Sequence, residues 1–222
     1  MEHLLDHDPN IVFVTETWLK SDVSDITALV KTRGYKLVHD RRRNRDKETG
    51  GGVGIMLKLG TKHKHVPMRK YSSFELTVVQ LCRSKGKPVL LVSLYRLLFI
   101  PVTVFLEEVV DLFEYLAACP EAILLCGDVN IHMDEDDIYT NKFNDILSTF
   151  NFIQHIDFPT HKLGHTLDIV ATTEDELFVS NFNSEENDVS DHLWKTHPGS
   201  TVNIVTCVSY DAKPKSNIKD PD

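Results

Sequence analysis

The chain has 222 residues, of which 41% are hydrophobic, and a formal net charge of -9. This length fits one α/β domain, and the hydrophobic fraction is sufficient for a buried core. The negative charge excludes a protein whose whole surface is a cationic glove for nucleic acid, although a local basic surface remains compatible with it.

The first part of the chain is predicted to form strands with one short helix. Residues 11–15 (IVFVT) are apolar and mostly β-branched, and they follow the turn signal at 8–10, which is typical of a buried strand. A short helix over 24–30 and a half-buried strand over 35–38 follow. The glycines at the start of 50–57 lead into another apolar strand, and because no G-K-[ST] follows, a structural role is favoured over a phosphate loop.

Strands and amphipathic helices share the rest of the chain. An amphipathic helix is predicted over 104–116 and a short helix over 145–150. Strands are predicted over 74–81, 89–95, 122–126, 167–171 and 202–210. Many strands with few helices favour two packed sheets flanked by helices. The domain is expected to span 1–210, with a polar, disordered tail over 211–222.

Neither a membrane span nor a secretory signal nor a cysteine metal site is predicted. Residues 89–106 approach the length of a spanning helix, but Arg96 within them is costly in a bilayer, which favours a buried strand followed by a turn. The N-terminus has no basic region followed by an apolar stretch. The four cysteines form no C-x-x-C pair, so we expect reduced thiols in a nuclear or cytoplasmic protein that is not secreted.

Two basic clusters are candidate surfaces for DNA. The first consists of Arg41, Arg42, Arg43, Arg45 and Lys47, and the second of Lys62, Lys64, Arg69 and Lys70. Phosphate contacts made by such residues would be sensitive to salt. For either cluster alone, a solvated loop is an equally good interpretation.

Polar or titratable side chains stand where apolar strands end, and this pattern occurs five times. In chain order the positions are Glu16, Tyr95, Gly127-Asp128-Val129-Asn130, Asp168 and Ser190-Asp191-His192. Each has a purely structural explanation when taken alone, such as a turn, a paired acid or a surface histidine.

Taken together, this ordered series resembles the motifs of the endonuclease/exonuclease/phosphatase superfamily over residues 10–192. TETWL (15–19), GGGVGIML (50–57) and GHTLDIV (164–170) look most like the apurinic-type endonuclease domains of non-LTR retrotransposons. The resemblance implies an α/β fold, a four-layer α/β/β/α sandwich of two mixed sheets flanked by helices. The family's first strand, which carries an asparagine near the metal, is missing, so we expect an exposed sheet edge.

The resemblance also implies a metal-dependent phosphodiesterase, most like a DNA-nicking endonuclease. Mg²⁺, with Mn²⁺ as an alternative, would be held by Glu16, and Asp191 would reach it directly or through water. Asp128 would accept the proton of the attacking water, and Asn130 would orient water or phosphate.

Three further residues would stabilise charge at the phosphate, again by resemblance. His192, hydrogen-bonded to Asp168, would be held protonated and aimed at the phosphate. Tyr95 would donate its hydroxyl to the phosphate or to the leaving oxygen.

Other chemistries fit these residues less well. A serine triad is disfavoured because residues 190–192 are adjacent in sequence and no G-x-S-x-G occurs. A zinc site is disfavoured because no pair has the spacing of a known zinc motif among His161, His165, His192 and His197. Two functional alternatives remain. One is an inactive relic of the same domain, and the other is a superfamily phosphodiesterase acting on lipid or inositol phosphates.

Overall fold

The computed structural model describes residues 8–17, 24–40, 51–83, 87–173, 183–185, 194–196 and 204–209. The first sheet joins strands from both ends of this range. In spatial order it contains β10 (Asn183–Glu185), β11 (Trp194–Thr196), β12 (Ile204–Ser209), β1 (Ile11–Thr15), β3 (Val53–Lys58) and β2 (Tyr35–Asp40). β1 runs parallel to β12 and antiparallel to β3. β1 thus has a partner on each side, so the exposed edge expected from the missing first strand does not lie at β1.

The second sheet carries most of the predicted site. In spatial order it contains β4 (His63–Val66), β5 (Phe74–Leu81), β6 (Val89–Arg96), β7 (Ala122–Asp128), β9 (Asp168–Thr172) and β8 (Ile153–Gln154). β6 and β7 are parallel, whereas the other neighbours are antiparallel. Both sheets are therefore mixed, as the resemblance implied.

An apolar layer separates the two sheets. Alternate side chains of each strand enter it, because successive residues of a strand point to opposite faces. Phe13 and Ile55 come from the first sheet and meet Leu91, Leu124 and Val170 from the second. All five are buried, so the layer is the core that fixes how the two sheets face each other.

Within the described residues, three helices flank the sheets: α1 (Ser24–Thr32), α2 (Val102–Ala117) and α3 (Ile138–Thr149). α1 lies against β2. The apolar face of α2, including Phe105 and Phe113, packs on the outer face of the second sheet together with Phe143 of α3. None of the described helices has the length and apolar character needed to cross a bilayer. The two mixed sheets with flanking helices confirm the predicted fold class.

Several elements differ from the sequence-based expectation. The helix expected over 145–150 is wrong in extent, since α3 begins at Ile138. The reason is Asp137, whose side chain accepts hydrogen bonds from the backbone amides of Tyr139 (2.6 Å) and Thr140 (2.7 Å) and so caps the helix. The strands β4, β8, β10 and β11 were not predicted. β4 is a polar edge strand whose pairing with β5 outweighs its own weak propensity.

Candidate active site

A row of four polar residues crosses the second sheet where the inter-sheet layer ends. Strand register pairs Glu75 with Tyr95, Tyr95 with Asp128, and Asp128 with Asp168. Directly opposed residues on neighbouring strands project to the same face of a sheet. We call Glu75, Tyr95, Asp128 and Asp168 the polar row. It brings together three of the predicted site residues and adds Glu75.

The face that carries the polar row becomes apolar toward the core. The next two rows on this face are Thr77–Ser93–Cys126 and Val79–Leu91–Leu124. Asp128 and Asp168 are only 2% and 1% exposed, and Tyr95 is buried beside them. Two carboxylates at the boundary of an apolar layer are costly unless hydrogen bonds or cations stabilise them. The end of the layer is therefore an acidic site that favours a bound cation.

Glu16 reaches the polar row from the first sheet. It directly follows β1 in a left-handed conformation, with φ +48°, and its Oε1 accepts a hydrogen bond from the Tyr95 hydroxyl. The next residue is also fixed, because the Thr17 amide donates to the Gly52 carbonyl at 3.0 Å. The Gly52 amide in turn donates to Oε2 of Glu75 at 2.5 Å. Backbone hydrogen bonds therefore connect the Glu16 loop to the polar row.

Gly52 has to be glycine at this contact. Its φ is +93°, and a Cβ at this position would lie 2.4 Å from Oγ1 of Thr17. Both the backbone conformation and the close approach exclude a larger side chain without rearrangement. The glycine-rich segment thus has a structural role next to the site, in agreement with the interpretation favoured from sequence.

A tight turn at the end of β7 presents Asp128 and Asn130 together. The Asn130 amide donates to Oδ1 of Asp128 at 2.8 Å. Asn130 has φ +49°, a left-handed conformation that asparagine adopts more readily than most residues. Its Nδ2 donates to the carbonyl of Arg96 at 3.0 Å, and Nη1 of Arg96 donates to the Asn130 carbonyl at 2.9 Å. Arg96, at the end of β6, and Asn130 therefore each donate a hydrogen bond to the other, and these two bonds fix the turn.

Arg96 is a site residue that the sequence interpretation missed. It is 4% exposed, and its Nη2 also donates to the Ile100 carbonyl at 3.2 Å. Burial lowers the pKa of the Arg96 guanidinium, while the charge of Asp128 acts in the opposite direction. The guanidinium thus places a positive charge close to the polar row. The available signal was an arginine directly after Tyr95 in an otherwise apolar run.

Gly127 sets the spacing of the two central strands. A Cβ at this position would lie 2.0 Å from the carbonyl oxygen of Leu94 on β6. The close approach that this glycine permits is therefore that of a neighbouring strand. It allows Tyr95 and Asp128 to stand side by side.

Thr160 fixes the start of β9 at Asp168. Oγ1 of Thr160 accepts hydrogen bonds from the amides of Leu167 (2.9 Å) and Asp168 (3.1 Å), and Thr160 is fully buried.

Other predicted site residues lie outside the described residues, namely Arg41, Arg42, Arg43, Arg45, Asp191 and His192.

A second group of potential metal ligands was also missed. His132, Glu135 and His165 place one ligand atom each within 4.8 Å of one another, and within the described ranges this is the group of three or more that does so. The zinc alternative included His165 but took its partners from His161, His192 and His197. The whole of α3 and β8 lie between His132 and His165 in the chain, so spacing gave no signal.

Two facing mixed sheets, flanking helices and an acidic edge define the class of the protein as an α/β/β/α sandwich with a candidate metal-dependent site. The model of the Endonuclease/Exonuclease/phosphatase family matches residues 1–192. The chain therefore belongs to this family. Comparison with curated protein sequences gives no match.

Three solved structures illustrate the shared fold. The endonuclease domain of TRAS1, a telomere-specific non-LTR retrotransposon, is 18% identical with a TM-score of 0.63, covering 90% of this chain and 99% of that domain. The human Nocturnin catalytic domain with bound sulfate is 15% identical with a TM-score of 0.62, covering 86% and 80%. D. rerio TDP2 complexed with single-strand DNA product is 13% identical with a TM-score of 0.57, covering 86% of each. At these identities the likeness establishes the shared fold.

Proposed function

We propose that the chain is a Mg²⁺-dependent phosphodiesterase that nicks DNA, an endonuclease domain derived from a non-LTR retrotransposon. The observation that carries this proposal is the polar row with Glu16 hydrogen-bonded to its Tyr95, where carboxylates converge on one edge of the sandwich. The shared fold with the TRAS1 endonuclease domain supports DNA as the substrate class.

The donor set at this edge fits a hard divalent cation. Glu16, Asp128 and Asp168 offer carboxylate oxygens, and magnesium is typically held by one or two carboxylates while it keeps several waters. Glu16 would hold the ion, and Asp191 would reach it directly or through water. Bound Mg²⁺ or Mn²⁺ would neutralise the charge that develops on the phosphate oxygens.

Asp128 is the proposed general base. Its carboxylate is buried, and the Asn130 amide fixes Oδ1, so the side chain is oriented before substrate binds. It would accept the proton of the attacking water. Asn130 would orient that water or the phosphate through its side-chain amide, since the hydrogen bond to the Arg96 carbonyl already sets the plane of that amide.

Two residues would stabilise the anionic phosphate. His192, oriented by Asp168, would place a protonated imidazole on it. Tyr95 donates its hydroxyl to Glu16 in the free protein. In the complex, this hydroxyl would turn to a phosphate or leaving oxygen once Glu16 is engaged by the cation.

A cleft that begins at the polar row is the proposed path for DNA. Glu75, Arg69, Lys70 and Phe99 are among the residues that line it. Arg69 also forms an ion pair with Asp111, which fixes its direction. We propose that these cations, with Arg41, Arg42, Arg43 and Arg45, contact the phosphate backbone. Their contribution should fall with increasing salt.

The test is nicking of supercoiled plasmid by the purified chain with Mg²⁺. Asp128→Asn should lower the nicking rate by roughly 10²–10⁴-fold, the usual contribution of a positioned acid–base group. Asp145→Asn is the matched control, because Asp145 is an exposed aspartate on α3. Chelation by EDTA should abolish cleavage in the parent.

Three outcomes would contradict the proposal. Equal rates for the parent and Asp128→Asn would assign the cleavage to a contaminant. A cooperatively folded parent with no cleavage of any substrate would favour the inactive relic. Hydrolysis of phospholipid headgroups or inositol phosphates without nicking of DNA would favour another phosphodiesterase of the same family.

A further inference from the structure

Two histidines and a glutamate meet on the loops beside the polar row. His132 and Glu135 lie in the segment between β7 and α3, and His165 lies just before β9. The two imidazole rings stack with centroids 4.0 Å apart and an interplanar angle of 18°. Oε1 of Glu135 lies 2.8 Å from Nδ1 of His132 and 3.8 Å from Nδ1 of His165. We call these three residues the histidine cluster.

Backbone hydrogen bonds hold the two loops of the histidine cluster together. The Met133 amide donates to the Thr166 carbonyl at 2.8 Å, and the Thr166 amide donates to Oδ1 of Asp134 at 2.7 Å. Oγ1 of Thr140, in the first turn of α3, donates to the His132 carbonyl at 3.0 Å. The three side chains are thus brought together by contacts of their neighbours, so a ligand would find them in place.

The distances suit a tetrahedral transition metal. With metal–nitrogen and metal–oxygen bonds of about 2.0–2.1 Å, two ligands of a tetrahedral ion lie roughly 3.4 Å apart. The two Nδ1 to Oε1 separations, 2.8 Å and 3.8 Å, lie on either side of this value. Coordination would require the stacked imidazole rings to turn so that their nitrogen lone pairs converge on one ion.

The chemistry of the ligands selects the kind of ion. Imidazole suits Zn²⁺, Ni²⁺, Cu²⁺ and Co²⁺, whereas Mg²⁺ prefers an all-oxygen environment. Oδ2 of Asp134 lies 3.1 Å from Nδ1 of His165 and is the neighbouring oxygen donor for a further position. The histidine cluster would therefore bind transition metals, whereas the carboxylates at Glu16 and the polar row would bind Mg²⁺.

We propose that His132, Glu135 and His165 bind a divalent transition metal, with Zn²⁺ as the probe of choice. The ion would connect the loop that follows Asn130 to the loop that precedes Asp168. It would hold together the ends of β7 and β9 that carry Asp128 and Asp168, without contacting the reacting phosphate. The site would thus have a structural role, separate from the proposed Mg²⁺ site.

The test is titration of the full chain with Zn²⁺ by calorimetry, in a buffer that keeps the cysteines reduced. We expect one equivalent to bind in the presence of excess Mg²⁺. His132→Ala and His165→Ala should each weaken binding by at least about 100-fold, since even residues outside the first coordination sphere contribute about 10–100-fold. His63→Ala is the matched control, because His63 lies on β4 and its Nδ1 contacts the Thr61 carbonyl instead.

Substitution with Co²⁺ gives a second readout on the parent protein. Visible absorption should show a tetrahedral ion without the charge-transfer band of cysteine sulfur. Glu135→Gln, at an exposed position, serves if a histidine variant fails to fold. The proposal is overturned if the parent binds no Zn²⁺, if a sulfur band dominates, or if His63→Ala weakens binding as much as His132→Ala. None of these measurements requires DNA cleavage, so the result is independent of the proposed endonuclease activity.

Discussion

The polar row and the histidine cluster lie next to each other but are built in opposite ways. Tyr95, Asp128 and Asp168 are positioned by the hydrogen-bonded register of three central strands and are almost completely buried. The side chains of His132 and His165 stand on loops and are 43% and 34% exposed. The row therefore depends on backbone spacing, whereas the cluster depends on a few contacts between loops.

This difference has a consequence for substitutions. Strand register is shared by many backbone hydrogen bonds, so a change in one side chain leaves the other members of the row in place. Only an alteration that separates the strands should displace all of them. Loops have fewer such bonds, so a bound ion contributes more to their order.

Gly127→Ala should have the largest effect on the row. The new Cβ would meet the Leu94 carbonyl, so β6 and β7 would have to separate at Tyr95 and Asp128. We expect a loss of about 3 kcal/mol or more in the free energy of unfolding. Urea denaturation measures it. Gly60→Ala is the control, since Gly60 has φ +92° but open space around it, and its cost should be about 1 kcal/mol.

Equal losses for the two glycine variants would mean that β6 and β7 accommodate the added methyl group at Gly127 without an extra cost in the free energy of unfolding. The strand spacing would then not be the basis of the row.

Arg96→Met should have the next largest effect, because Arg96 connects the row to the Asn130 turn. Its guanidinium donates to the carbonyls of Asn130 and Ile100 in a buried setting. Hydrogen bonds from a charged donor contribute about 1.5–3 kcal/mol. We therefore expect the free energy of unfolding, measured by thermal denaturation, to fall by about 2–3 kcal/mol. Arg69→Met, at an exposed ion pair, should lower the free energy of unfolding much less than Arg96→Met does. A loss no larger for Arg96 would contradict the role assigned to it.

Glu108→Gln should have a smaller effect that depends on pH. Glu108 of α2 accepts hydrogen bonds from the amide and hydroxyl of Ser73 at 2.8 Å and 2.6 Å, and from the hydroxyl of Ser72 at 2.9 Å. These bonds fix the start of β5, the strand that contributes Glu75 to the row. Burial raises the pKa of Glu108, but the hydrogen bonds from Ser73 and Ser72 outweigh it and hold the pKa below its usual value.

A lowered pKa in the folded state means that this stabilisation is present above the unfolded-state pKa of about 4.3 and is lost as the pH falls through the folded-state value. We expect Glu108→Gln to cost about 1–2 kcal/mol at pH 7. Its difference from the parent should shrink below about pH 4. Urea unfolding across this range measures it, with Glu107→Gln as the exposed neighbouring control. A difference that does not vary with pH would contradict the carboxylate contacts.

His132→Ala should have the smallest effect when no transition metal is present. The imidazole is half exposed, and the hydrogen bond from Thr140 to residue 132 uses the backbone carbonyl, which the variant keeps. We expect a change within about 0.5 kcal/mol in EDTA. A loss above about 1 kcal/mol would show that the imidazole stabilises the loops without an ion, and the contrast between row and cluster would weaken.

The same contrast explains which parts of the site the sequence could predict. Tyr95, Asp128 and Asp168 end or begin apolar strands, so the change from apolar to polar residues marks them in the sequence. Glu75 was missed because it alternates with apolar residues within FELTVVQL and looks like a solvent-facing position. Only the pairing of β5 with β6 reveals that it stands beside Tyr95.

Contacts between distant segments were harder still to predict. The pairing of β12 with β1 joins the two ends of the described chain, and no local pattern specifies such a partner. The stacking of His132 on His165 likewise depends on how two loops meet. Local propensity and periodicity carry information about elements, whereas register and loop contacts arise from tertiary packing.

Glu16 and Asn130 share nearly the same left-handed backbone, with φ +48° and +49°. Asparagine tolerates this conformation, but for glutamate it costs about 1 kcal/mol or more. An exchange of Glu16 for glycine would relieve the backbone and delete the carboxylate in a single step. Selection for a stable fold would therefore not preserve Glu16, and only selection for activity would. Among descendants of this sequence, the identity of residue 16 would report inherited function better than the persistence of the fold does.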